Sequence, residues 1–183
     1  MKFNEAKATQ AAARLLRLRG GRMSYMKLIK LLYLVDRQAL LSWGFPVTTD
    51  SHVSMDKGPV LSQVLNLITE GKDPNAASIW SRYISDPDDY QVQLKTEDVP
   101  SEELSIAEEK LIDAIFAEYG RFSRWQLVDI LHGLPEWQDP KGSAIPIQFS
   151  DILKAGGKTE GEIAAVIAEL ESLNASELLV QSH

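Results

Sequence analysis

The run KLIKLLYLVDRQALL, Lys27 to Leu41, constrains this chain more than any other segment. Leu28, Leu31, Leu32, Val35 and Ala39 recur at i, i+3, i+4, i+7 and i+11, the spacing of one face of an α-helix. The helix is apolar over too much of its surface to read a nucleic-acid groove. Ser24 supplies a cap and Gly44 with Pro46 ends it. Lys30 reads as a surface position beside the stripe. A chain of 183 residues is long enough for one sizeable core around such a helix, which predicts a single compact domain.

The other helices announce themselves by their ends. NEAKATQAAARLLRLRGG starts at an Asn4 cap and stops at Gly20-Gly21. KGPVLSQVLNLITEG places Pro59 in a first helical turn, between Gly58 and a stop at Gly71. SIAE and SRWQ fit the capping box, so helices begin at Ser105 and Ser123 and run to Gly120 and Gly133. A third box, TEGE, opens a helix from Thr159 to about Leu173. HVSM and YQVQLK show strand alternation and offer partners for each other in a small sheet. The expected fold is mainly α, with a two- or three-stranded β element.

Composition narrows the function classes. No apolar run approaches the length that spans a bilayer, and MKFNEAKATQ has no signal-peptide core, so the expected compartment is the cytoplasm. The absence of cysteine removes disulfides, thiolate nucleophiles and Cys-ligated metal from consideration. The net charge of −7 hides an asymmetry, because residues 1–37 hold nine basic groups against Glu5 and Asp36. Such a basic face can meet an acidic partner, a nucleic acid or the protein's own acidic remainder.

The motif-like fragments do not assemble a reaction. AGGKT resembles the end of a phosphate-binding loop, but Ile152 stands where the first Gly is required and a helix, not a strand, precedes it. DPDD, Asp86 to Asp89, lacks the oxygen-ligand spacing of a calcium loop. His52, His132 and His183 are far apart and none sits in HExxH, so no metal is expected; His132 reads as a favourable helix C-terminus. With no G-x-S-x-G elbow either, the chain is expected to be no enzyme and to need no cofactor.

Two ordered blocks carry a resemblance. KLIKLLYLVDRQALLSWGFPVTTDSHVSMDKGPV has a KL-x-KLLY-x-x-D helix, a G-x-P-[IVL]-T loop and a terminal GPV. LSIAEEKLIDAIFAEYGRFSRWQLVDILHGLPEWQDP has an LS cap, a YG helix stop, a Ser-capped helix with L-x-x-x-x-H and a downstream Trp. Together they resemble the SocA-like antitoxins, the Panacea domain of toxin–antitoxin and phage-associated proteins, over residues 24–155. Asp56 and Lys57 depart from the aromatic expected beside the Gly-Pro. The domain is thus expected over 1–155, with 156–183 as a helical extension.

The resemblance implies an antitoxin that binds a toxin protein encoded by an adjacent gene, with delivery to an ATP-dependent protease in some members. Under that reading the segment Thr48 to Pro59 is shape, not chemistry. A strand ending in Gly58-Pro59 would present His52, Met55 and Lys57 beside the Tyr33 and Asp36 face of the second helix, and these seven residues are the expected partner-binding set. Each has a plainer reading: Tyr33 as a satisfied core aromatic, Asp36 pairing with Lys30 or capping a backbone group, Gly58 and Pro59 as architecture. Trp43, Trp80, Trp125 and Trp137 are expected in the core. The alternative from another class is a nucleic-acid-associated transcriptional regulator, motivated by the basic N-terminal helices and by RGGRMS as the turn of a helix-turn-helix.

Overall fold

A computed structural model describes residues 2–70 and 78–180, with side chains to 176. Gly71 and His183 lie outside the described residues. Among these, eight helices and five short strands follow in the order α1 (Glu5–Leu18), β1 (Arg22–Ser24), α2 (Tyr25–Trp43), β2 (His52–Met55), β3 (Gly58–Leu61), α3 (Ser62–Thr69), α4 (Ile79–Tyr83), β4 (Gln91–Gln93), α5 (Ile106–Tyr119), α6 (Arg124–His132), β5 (Ile145–Ile147), α7 (Phe149–Ala155) and α8 (Glu160–Val180). The fold is mainly α with two small antiparallel sheets, β1-β4 and β3-β2-β5.

The apolar excess of α2 is answered by enclosure. Helices α1, α5, α6 and α7 and strand β3 all pack against it, and Leu28, Leu31, Leu32, Val35 and Ala39 are fully buried. Lys27, Lys30 and Asp36 are buried with them. Lys30 is therefore not a surface position: at 1% exposure it donates from Nζ to the Pro59 carbonyl at 2.7 Å. Residues 27–36 of the helix are buried on every side and leave no solvent face for a cation, so the side chain must find an acceptor inside.

The caps read from local sequence are present except at Ser24, which precedes α2 but makes no side-chain cap bond. The Asn4 side chain accepts from the Lys7 amide at 2.9 Å, and Ser105 and Ser123 each close a capping box with Glu108 and Gln126. Thr159 and Glu162 close another at the start of α8, which runs to Val180, beyond the expected end near Leu173.

Two expectations fail for non-local reasons. The third helix does not begin at Pro59: Gly58 to Leu61 are strand β3, and α3 starts at Ser62. Asp50 makes that start possible, since its carboxylate accepts from the Gln63 and Val64 amides at 2.9 Å each, capping the helix from thirteen residues upstream. Nor do HVSM and YQVQLK pair with each other. HVSM is β2, flanked by β3 and β5, while Gln91–Gln93 pairs with Arg22–Ser24. The RGGRMS connection consequently runs through a turn into strand β1 and is not the turn of a helix-turn-helix.

The last helix folds back on the domain. Gly156 lies so close to the Leu41 side chain that a Cβ would overlap it, and a Cβ on Gly44 would meet Val166 of α8 at 3.3 Å. Leu170 is 6% exposed, which anchors α8 near its middle. No helix among the described residues is long and apolar enough to cross a membrane.

Leu32→Ala removes a fully buried side chain at the centre of α2 and is expected to cost about 2–5 kcal/mol. Lys30→Ala leaves the Pro59 carbonyl without its donor and is expected to cost about 1–3 kcal/mol. Glu160→Lys, exposed on α8, should stay within about 0.5 kcal/mol of wild type. Urea unfolding of the three variants measures all of these.

Candidate functional site

The residues singled out from sequence do converge, but at two depths. Tyr33, Asp36 and His52 are buried at 0%, 0% and 3% exposure, whereas Met55 is half-buried and Lys57 exposed. Gly58 and Pro59 are buried beneath them. A docked protein can therefore touch Met55 and Lys57 directly but reaches Tyr33, Asp36 and His52 only through the residues above them.

The deep layer is a polar network that fastens loops to α2. Asp36 accepts from the Thr48 amide at 2.9 Å and from the Thr48 hydroxyl at 2.5 Å. Of the two plainer readings for this residue, backbone capping is the one present. Tyr33 donates its hydroxyl to Glu136 at 3.0 Å, and Arg37 reaches the same carboxylate from Nε at 2.6 Å. Glu136 was not visible from sequence. A buried tyrosine and an arginine one turn later share a need for an acceptor, and that need was the only signal for it.

His52 is wedged between aromatic rings, edge-on to Tyr33 at 5.5 Å and to Phe149 at 5.4 Å. Its Nε2 lies 3.6 Å from Asp36 Oδ2, too far for a hydrogen bond. Burial shapes the titration of both groups. It raises the Asp36 carboxyl to about 7 against the opposing bonds from Thr48, and it lowers the His52 imidazole to about 4. Lys30 is likewise lowered to about 7 by burial. Asp50 is raised by the same cause, and Tyr33 is pushed up by burial and then by Glu136.

The shallow layer is the tip of the β2–β3 hairpin. Met55 pairs with Gly58, leaving Asp56 and Lys57 at the turn, and Gly58 takes a left-handed φ of 88°. A Cβ there would sit 3.2 Å from Lys30 Nζ and 3.4 Å from the His132 ring, so the left-handed conformation favours glycine and the fit around it is close. The tip is held from the far side of the chain. Trp137 Nε1 donates to the Met55 carbonyl at 3.1 Å, the Gln138 amide to the Ser54 hydroxyl at 3.2 Å, and the Gly142 amide to Asp56 at 2.9 Å.

His132, at the end of α6, stacks on Trp137 at 4.0 Å, and Lys57 Nζ sits 5.6 Å over the Trp125 ring. Trp125 is 51% exposed and Trp43 48%, so the expectation of four core tryptophans holds for Trp80, at 2%, and not for these two. Beside the tip opens a groove of about 280 Å³, walled by Tyr25, Met26, Ile29, Met55, Lys57 and Leu65 and predominantly apolar. Among the described residues no three His, Asp or Glu side chains gather where they could hold a metal ion.

These features define an α-helical domain built on one enclosed helix, with a hairpin tip clamped rigidly at its surface. The sequence model of the family described as antitoxin SocA-like, Panacea domain, matches residues 28–138, from α2 to just past Trp137, and the chain belongs to that family. No curated protein and no solved structure matches it.

The buried pair gives a pH test with opposite signs. A carboxyl raised from 3.8 to about 7 binds its proton more tightly in the fold, so the Asp36 contribution to stability falls as pH rises across that window. An imidazole lowered from 6.5 to about 4 does the reverse, and the His52 contribution rises with pH between those values. Relative to wild type, Asp36→Asn should gain stability from pH 4 to 6.5 and His52→Gln should lose it. Thermal unfolding across that range reads both slopes; slopes of the same sign would refute the assignment.

Proposed function

We propose that this chain is an antitoxin that neutralises a cognate toxin, encoded by an adjacent gene, through direct protein–protein binding. The observation that supports this reading is the disposition of polar groups. Tyr33, Asp36, Asp50 and Glu136 are all engaged in bonds that fix loops and helix ends, while Met55 and Lys57 stand at the surface on a braced turn. Such a site is pre-organised for contact, which lowers the ordering cost of binding. On this reading the chain catalyses nothing.

The groove beside the tip suits one kind of contact. Met26 and Met55 supply adaptable apolar surface, and Lys57 carries an ammonium group with no carboxylate partner among the described residues. An apolar ridge of the toxin, with an acidic side chain beside it, complements both. Blocking and delivery to an ATP-dependent protease each require this contact, and toxin levels in cells lacking the protease separate them. The transcriptional-regulator alternative needs an exposed recognition helix, whereas α2 is enclosed and its preceding segment is a strand.

Co-expression with the adjacent gene product tests the proposal. Met55→Asp puts an unpaired charge in the contact and Lys57→Glu reverses the sign of its rim; each should lose rescue of growth and recovery of the complex, with the melting temperature little changed. Glu160→Lys should keep both. Full rescue by Met55→Asp and Lys57→Glu together would move the contact elsewhere.

A further inference from the structure

A second concavity, also at the α2 amino terminus, is lined by a different chemistry. Arg19, Arg22, Lys27, Arg121 and Arg124, drawn from two separate stretches of the chain, line a polar cleft of about 580 Å³. Asp89 is the only acid among the lining residues. Of the other basic groups of the N-terminal region, Lys7 pairs with Glu108 at 2.8 Å, Arg14 with Asp113 at 2.7 Å and Arg37 with Glu136 at 2.6 Å, while Arg17 and Lys30 donate to backbone carbonyls. Among the described residues, none of the four cleft arginines has a carboxylate partner.

Lys27 makes the imbalance acute. It is 7% exposed, and its Nζ donates to the Gly120 and Phe122 carbonyls at 2.5 and 2.7 Å, with no carboxylate in reach. Burial lowers its affinity for the proton, and the neighbouring Arg19 charge lowers it further. A cation at the floor of a cleft, repelled by a second cation, is a position that an anion would relieve. The Ser24 hydroxyl in the same wall is buried and has no hydrogen-bond partner. The amino terminus of α6 opens into the same space with its positive end.

The rim adds an aromatic surface held at a cost in backbone strain. Asp88 and Gln91 exchange both backbone hydrogen bonds across a two-residue turn, and both turn residues take left-handed φ, 47° at Asp89 and 60° at Tyr90. That geometry favours glycine or asparagine, and an aromatic residue pays for it. The outcome is a Tyr90 ring 62% exposed at the mouth of the cleft, with the Arg124 guanidinium 5.7 Å from its centre.

We propose that this cleft binds a compact anion carrying two or more linked phosphoryl groups, either free or on a nucleoside whose base lies against Tyr90. Arginine forks match paired phosphoryl oxygens, Lys27 supplies a point charge at the floor, and the concave shape suits a small molecule better than a polymer. The overall charge of −7 also disfavours a long polyanion. The site is independent of the toxin contact, since Met55 and Lys57 take no part in it.

Isothermal titration calorimetry of the full chain with pyrophosphate, ADP, adenosine and a ten-nucleotide single-stranded RNA tests this. Pyrophosphate and ADP should bind and adenosine should not; ADP binding tighter than pyrophosphate assigns the nucleotide, and equal affinity assigns the free phosphoryl chain. Arg22→Glu and Arg121→Glu, both exposed, should each weaken binding at least tenfold with unchanged melting temperature. Met55→Asp should bind like wild type, which keeps this outcome distinct from failure of the antitoxin reading. No heat from pyrophosphate or ADP, binding of the RNA alone, or wild-type affinity in both arginine variants would overturn the proposal.

Discussion

Enclosure of α2 is the constraint on which the rest of the structure depends. A helix packed on every side must satisfy its polar side chains internally, and α2 carries four that are buried: Lys27, Lys30, Tyr33 and Asp36. Their partners come from Gly120 and Phe122, Pro59, Glu136 and Thr48. Each bond is worth only about 0.5–1.5 kcal/mol when made, but about 1–3 kcal/mol is lost when a buried group is left alone. That asymmetry ties the α5–α6 turn, strand β3, the segment after α6 and the loop after α2 to a single helix.

The hairpin tip owes its rigidity to this network. Lys30 holds the Pro59 carbonyl from below, while Trp137 and Gln138, one residue and two beyond Glu136, hold the β2 strand from the side. Glu136 is itself pinned by Tyr33 and Arg37. The deep polar residues therefore act on the surface at one remove. They position Met55 and Lys57 without touching whatever binds there, and a change at Tyr33 would be felt at the tip through Glu136 and Trp137.

Charge is sorted by the same packing. Helix α5 carries Glu108, Glu109 and Asp113 along the side that faces α1, and these neutralise Lys7 and Arg14. Part-buried pairs of this kind, still reached by solvent, contribute modestly to stability. Their consequence is instead one of distribution, since Lys7 and Arg14 are neutralised along α1, whereas beyond its carboxy-terminal end Arg19 and Arg22 meet Arg121 and Arg124 around one cleft. A net charge of −7 for the whole chain conceals that local excess.

What the sequence by itself determined is whatever the chain settles within a few residues. The Asn4 cap, the Ser105, Ser123 and Thr159 boxes and the apolar spacing of α2 are local signals, and each appears where the local physics placed it. The Gly-Pro pair was legible as a break in the chain but not as the opening of strand β3. Tertiary structure alone decided the start of α3, because its cap, Asp50, is distant in sequence, and decided which strands pair, because segments of three or four residues carry too little pattern to select a partner. It also decided depth. Lys30 read as a surface cation because lysine is ordinarily solvated, and Tyr33, Asp36 and His52 read as equal members of a contact face; burial depends on what packs above a residue, and that is set by Glu136, Trp137 and Phe149 from the other end of the chain.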